Sequence, residues 1–168
     1  MKKDYRISKA SVEGMSDADY FGALIEPIWP DSSVEDELEH ISYGTPGQRA
    51  LYATTLFMRE ADNGGIEQFF WNSSSLYSNE VLEGFKLLGM TEYYETPNKA
   101  LTFFPDSKGP SDWIERQKYI DNRKAEIKSF FEPLNDVIYD EERLYPYFHK
   151  YVDTHPEDFF IENENNSS

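Results

Sequence analysis

The chain has 168 residues, long enough for one domain with a sizeable core. Its 32 acidic and 16 basic residues leave a formal net charge of −16, which opposes direct binding to nucleic acid or anionic membranes, both polyanions. Twelve Phe, twelve Tyr and three Trp provide the apolar area that an acidic disordered chain lacks, and the absence of cysteine excludes disulfides, thiolate metal sites and thiol nucleophiles and suits a reducing cytosol.

The opening "MKKDYRISKASVEG" has basic residues but no apolar run behind them, so it is not a secretory signal. No segment approaches the length needed to span a bilayer. The expectation is therefore a cytoplasmic protein. Asp17 to Trp29 reads as a helix capped by Ser16 and stopped by Pro27 and Pro30. Asp31 to Ser42 reads as a short acidic helix with Val34, Leu38 and Ile41 on one face. Thr45-Pro46-Gly47-Gln48 is a helix start, with Thr45 as cap, Pro46 in the first position and Gln48 completing a capping box. That helix is predicted to run to about Asp62. Ala50, Leu51, Ala53, Phe57, Met58 and Ala61 share a wide apolar arc, with Gln48, Thr55, Arg59 and Asp62 opposite. Small residues in so wide an arc indicate a central helix packed closely by neighbours.

The stretch "DNGGIEQFFWN" follows. A helix ending at Asp62 or Asn63 puts Gly64 or Gly65 where a left-handed backbone is favoured, and Ile66 to Trp71 then turns its aromatics into the core. Gln68 and Asn72, one turn apart, are expected to hydrogen-bond the loop backbone. Ser73 to Ser75 read as an N-cap cluster for a helix from about Leu76 to Leu88, ended by Gly89. Glu92 to Phe104 is a further helix, with Pro97 marking its first turn, and "PDSKGPSD" is a loop. A long helix is predicted from Asp112, its Trp113, Ile120, Ile127 and Leu134 recurring every seven residues until Pro133 interrupts. The last helix covers about Glu141 to Thr154 and accommodates Pro146 by bending or starting there. The sum is an all-α, single compact multi-helix domain over residues 1–161, with short connecting loops and a flexible tail at 162–168.

Little in the chain points to catalysis. The three histidines, His40, His149 and His155, have no metal-ligand spacing, and no H-E-x-x-H occurs. "NSSSLYSN" lacks a nucleophile-elbow pattern. Paired carboxylates abound, but in so acidic a chain they carry no information about acid–base chemistry. The glycine pair has no lysine or arginine beside it, and Asp62 and Glu67 flank it, which is wrong for a phosphate cradle. The motif reads as a structural joint. No enzyme activity, cofactor or metal is expected.

"GQRALYATTLFMREADNGGIEQFFWNSS", "EVLEGFKLLGM", "KALTFFP" and "YPYFHKYVDTHPEDF", in that order over about residues 45–160, resemble a bacterial family long described as a domain of unknown function, which includes a DNA-mimic type. Asn63, Gly64, Gly65, Gln68, Phe69 and Asn72 match its most specific motif, which serves the fold. The resemblance implies an all-helical domain. For the DNA-mimic type it implies a homodimer whose acidic face occupies the DNA-binding surface of a transcription regulator.

Acidic residues concentrate toward the two ends of the chain. Asp31, Glu35, Asp36 and Glu39 form one candidate partner-binding cluster, Asp140, Glu141 and Glu142 a second, and Asp153, Glu157 and Asp158 a third. Duplex DNA carries a phosphate about every 3.4 Å along each strand. Carboxylates on successive helical turns lie about 5.4 Å apart, so several in line imitate a charged groove edge. The expected function is a non-enzymatic acidic interaction protein, a DNA mimic that occupies the DNA-binding surface of a basic transcription regulator or other DNA-binding protein. An immunity protein against a basic toxin and an enzyme of unrecognised type are the alternatives. A deep pocket holding a strongly shifted ionisable group would favour the enzyme.

Overall fold

Thr45 starts the longest helix as expected. Its hydroxyl accepts from the Gln48 amide, and its own amide donates to the Gln48 side chain, both at 3.2 Å. The box satisfies backbone donors that a helix start otherwise leaves open. The computed structural model describes residues 4–30, 36–137 and 139–161, and the expected tail at 162–168 lies outside them. Over the described residues the chain folds into helices α1 (Asp17–Ile25), α2 (Glu37–Ser42), α3 (Pro46–Trp71), α4 (Ser78–Leu87), α5 (Thr91–Leu101), α6 (Trp113–Asp121), α7 (Lys124–Phe131) and α8 (Tyr145–Thr154). Short 3₁₀ turns join several of them. No strand occurs among the described residues. One isolated parallel bridge ties the two ends together, the Ile7 amide donating to the Phe159 carbonyl at 2.9 Å. The result is one packed all-α domain.

Helix α3 is the axis, and α1, α4, α6, α7 and α8 all pack on it. It is more central than its sequence pattern suggests. Gln48 and Thr55, expected on the outer side, are also buried. Gln48 repays its burial by donating to the carbonyls of Tyr5 and Leu24, which fastens the N-terminal segment and α1 to α3. Downstream, Phe57 meets Phe69 edge to face at 4.9 Å and Phe85 at 5.6 Å, while Phe70 stacks on Phe131 at 5.8 Å. Phe57, Phe69 and Phe70 are fully buried, as their apolar arc and the inward-turning aromatics predict, and so is Phe85.

Trp113, first of the predicted seven-residue repeat, does not keep that apolar stripe. Trp113 is 40 % exposed. The predicted long helix breaks at Asn122 and Arg123 into α6 and α7 and ends in a 3₁₀ turn, Glu132–Asp136. Trp113 is the first residue of α6, and residues 111–115 are all exposed, so it stands at an open helix end although Ile120 on the same helix is buried. Arg116 turns inward instead. Its guanidinium donates to the carbonyls of Ser75 and Pro110, each at 2.8 Å, and burial lowers its pKa.

Other boundaries moved by a turn. Helix α1 ends at Ile25 and a 3₁₀ turn, Glu26–Ile28, carries Pro27. Helix α2 begins at Glu37, with Asp36 as its cap; Asp31, Val34 and Glu35 lie outside the described residues. Pro97 sits within α5 and not at its start. Residues 73–77 form a 3₁₀ turn leading into α4, and no serine side chain caps that helix. Pro146 is accommodated at the first turn of α8.

Candidate interaction surface

The glycine motif is a joint built around a carboxylate. Helix α3 kinks at Gly64 (φ −153°, ψ 20°) and Gly65 (φ 75°, ψ −178°). The second conformation is essentially restricted to glycine. A Cβ on Gly65 would also meet the Asn135 side chain at 2.9 Å. The Asn135 Oδ1 accepts from the Ile66 amide at 2.8 Å, capping the helix segment that restarts after the kink. Gln68 and Asn72 do not bond the loop backbone as expected. Both donate to Glu60 Oε2, at 2.7 and 2.8 Å, and the Ser74 hydroxyl donates to Glu60 Oε1 at 3.0 Å. Glu60 thus staples the two halves of the kinked helix to the turn that follows. Sequence reasoning passed over it because a glutamate on an amphipathic helix reads as solvated. Its spacing from Gln68, two turns along, was the available signal.

The acidic candidates fall into different environments. Asp36 accepts from the Glu39 amide at 2.9 Å and caps α2, and Glu39 accepts from the Tyr43 hydroxyl. Together they form a group around Tyr43. Asp140 accepts from the Glu142 amide at 2.9 Å. Glu141 pairs with Arg59 of α3, which raises the arginine's pKa. Asp158 is half-buried, its Oδ2 accepting from the Gly47 amide at 2.8 Å and from the Tyr151 hydroxyl at 2.9 Å. An anion is favourable there, at the N-terminus of α3. Glu142, Asp153 and Glu157 are exposed.

Packing of α1 on α8 gathers part of this charge. Phe21 stacks on Tyr145 at 5.4 Å and meets Phe148 edge to face at 5.1 Å. Asp17, at the start of α1, bonds His149 Nε2 at 2.8 Å. The Tyr145 hydroxyl is pushed above its ordinary range by burial, then by Glu141 and Glu142, with Asp17 adding to the effect. Tyr20 is raised by burial and then by Asp153. Asp17, Glu141, Glu142 and Asp153 therefore converge on the α1–α8 side, although 124 residues separate Asp17 from Glu141. Asp17 and Asp19 were missed as surface candidates because the first turn of a helix attracts acid for its own sake.

Nothing among the described residues is arranged for metal chemistry: no group of three or more His, Asp or Glu could hold an ion. Asp4 is lowered to about 2 by its hydrogen bonds with Arg6, and the large upward pKa shifts belong to tyrosines. Tyr77 is raised far above its ordinary range by burial and its bond to Glu37, and Tyr139 is pushed up to about 12 chiefly by burial. Raised tyrosines stay protonated and donate hydrogen bonds; they are not nucleophiles at neutral pH. No described helix is long and apolar enough to cross a membrane.

The sequence profile of the DMP19-like protein family matches residues 44–155, well over half of the chain. The chain belongs to the DMP19-like protein family. No curated protein and no solved structure matches it. The match runs from just before the α3 capping box to the start of the final turn, and so includes the glycine joint, Glu60 and the Glu141–Glu142 pair. DMP19-like membership suggests a DNA-mimic role, and with it binding to a DNA-binding protein. The N-terminal segment and α1, which contributes Asp17, lie outside the matched region.

Proposed function

We propose that this DMP19-like chain is a non-enzymatic acidic interaction protein whose α1–α8 side occupies the DNA-binding surface of a basic protein, a transcription regulator in the first instance. The observation that carries the reading is the packing of α1 on α8, which seats Asp17 against His149 and leaves Glu142 and Asp153 exposed beside the Glu141–Arg59 pair, in a chain of net charge −16 whose family includes DNA mimics. Asp140, Glu157 and Asp158 flank that group in sequence. Asp36 and Glu39 supply a second acidic group around Tyr43, and Asp31 and Glu35 precede them in sequence. A homodimer, which the family resemblance implies for the DNA-mimic type, would present both regions twice.

Charge of this kind steers encounter more than it holds the complex. The variant Glu142→Lys/Asp153→Lys/Glu157→Lys is expected to slow association with the partner at least tenfold while leaving the melting temperature within a few degrees, since these side chains are exposed. Stopped-flow association over a salt series measures it. Unchanged association would remove the α1–α8 side from the interface. Capture of a nuclease toxin in place of a DNA-binding regulator would assign the chain to the immunity proteins.

A further inference from the structure

The outer side of α1 carries a glycine that the fold does not use. Gly22 lies in the middle of the helix with ordinary helical geometry, and a Cβ built on it would meet nothing within 4 Å. Glycine in a helix interior is less favourable than alanine, so packing within the chain gives no reason for it. Ala18 sits one turn before it and Ala23 beside it. Together these small residues floor an open cleft of about 590 Å³. Met15 and Trp29 line it as well; they are 44 % and 39 % exposed, among the largest apolar side chains left at the surface. Asp19 and Glu26 give the cleft an acidic rim. Arg59 reaches it too, but its guanidinium is committed to Glu141. The cleft therefore has an apolar floor, an acidic border and no basic group free to neutralise that border among the described residues lining it.

We propose that this cleft receives an amphipathic basic α-helix of the protein partner. The helix would lay its apolar stripe over Ala18 and Gly22, between Met15 and Trp29, and set lysine or arginine side chains against Asp19 and Glu26. Missing side-chain bulk at Gly22 lets the two helix axes approach closely, as small residues do wherever helices pack tightly. Charge decides between occupants. A second copy of this chain brings another net charge of −16 and would set its own Asp19 and Glu26 against the same rim. A basic helix is attracted, and it is the element that many DNA-binding proteins insert into a major groove about 12 Å wide. The inference rests on the acidic-interaction reading and adds to it the shape of what is bound.

The test uses the full chain and two synthetic peptides of identical composition. One places leucines on a single helical stripe flanked by lysines; the other has the same residues in scrambled order. Binding is followed by the Trp29 indole and Gly22 amide resonances, and folding by thermal melting. The ordered peptide is expected to shift both resonances saturably, and the scrambled peptide to bind at least fivefold more weakly. Gly22→Leu, which fills the cleft from an unobstructed position, is expected to weaken the ordered peptide at least tenfold with an unchanged or higher melting temperature. Equal binding to Gly22→Leu and wild type overturns the cleft, as do shifts centred on Trp113 or a Trp29 shift produced by raising the protein concentration alone. If Glu142→Lys/Asp153→Lys/Glu157→Lys weakens binding of the natural partner while Gly22→Leu does not, the cleft fails and the acidic surface stands. If the captured partner neither carries basic surface nor binds DNA, the acidic-interaction reading fails independently of the peptide result.

Discussion

Gly65 and Glu60 do opposite jobs at the same joint, one by lacking a side chain and the other by having the right one. Gly65 adopts φ 75° and ψ −178°, so Gly65→Val is expected to destabilise the fold by about 1–3 kcal/mol, read from urea denaturation; wild-type stability would contradict the strain argument. Glu60 accepts from Gln68, Asn72 and Ser74. Glu60→Ala leaves those donors without their partner and is expected to cost about 1–3 kcal/mol, with Glu60→Gln costing less because its amide oxygen still accepts. Equal losses in the two variants would mean that charge, and not hydrogen bonding, holds the joint. Buried tyrosines set the alkaline limit. Tyr139 is pushed up to about 12, above its value in the unfolded chain, so its contribution is complete below about pH 10 and is lost as pH rises toward 12. Absorbance titration should show it ionising together with unfolding; early ionisation at constant circular dichroism would contradict its burial.

Single helices show what a sequence exposes and what it hides. The start of α3 was legible because Thr45, Pro46 and Gln48 encode a local capping geometry that needs no partner. The glycine joint was legible for the same reason: the chain must turn where two adjacent glycines follow Asn63. Glu60 was not, because its partners are fixed only when α3 has kinked. Trp113 was misplaced because a heptad pattern does not record where packing neighbours end: residues 111–115 are exposed at the start of α6. The break at Asn122 and Arg123 was hidden because it carries neither glycine nor proline. Of the proposed interaction surface, the sequence shows the local acidic clusters at 36–39 and 140–142, but not that Asp17 stands on the same α1–α8 side as Glu141. That neighbourhood is made by α1 packing on α8. The same packing leaves the outer side of α1 open, so Gly22→Ala is expected to stabilise the chain by about 0.5–1 kcal/mol through helix propensity alone. A loss of stability on thermal melting would mean that the position is filled.

At the scale of the whole molecule, a dense aromatic core carries an excess of surface carboxylates. The core of Phe57, Phe69, Phe70, Phe85 and Phe131 tolerates the self-repulsion that a net charge of −16 imposes. Exposed carboxylates cost little to place and contribute little to stability, so they are free to serve recognition. In the proposed complex their attraction to a basic partner is screened over a Debye length of about 8 Å at physiological salt, so the account expects binding to depend on ionic strength. The most direct measurement is competition: the protein captured from host lysate by this chain at low salt is titrated with duplex DNA while the amount of captured partner that remains bound is followed. The account predicts that DNA displaces this chain completely and that binding weakens steadily as salt rises. A stable ternary complex, with DNA at its usual site on the partner and this chain still bound, would contradict it.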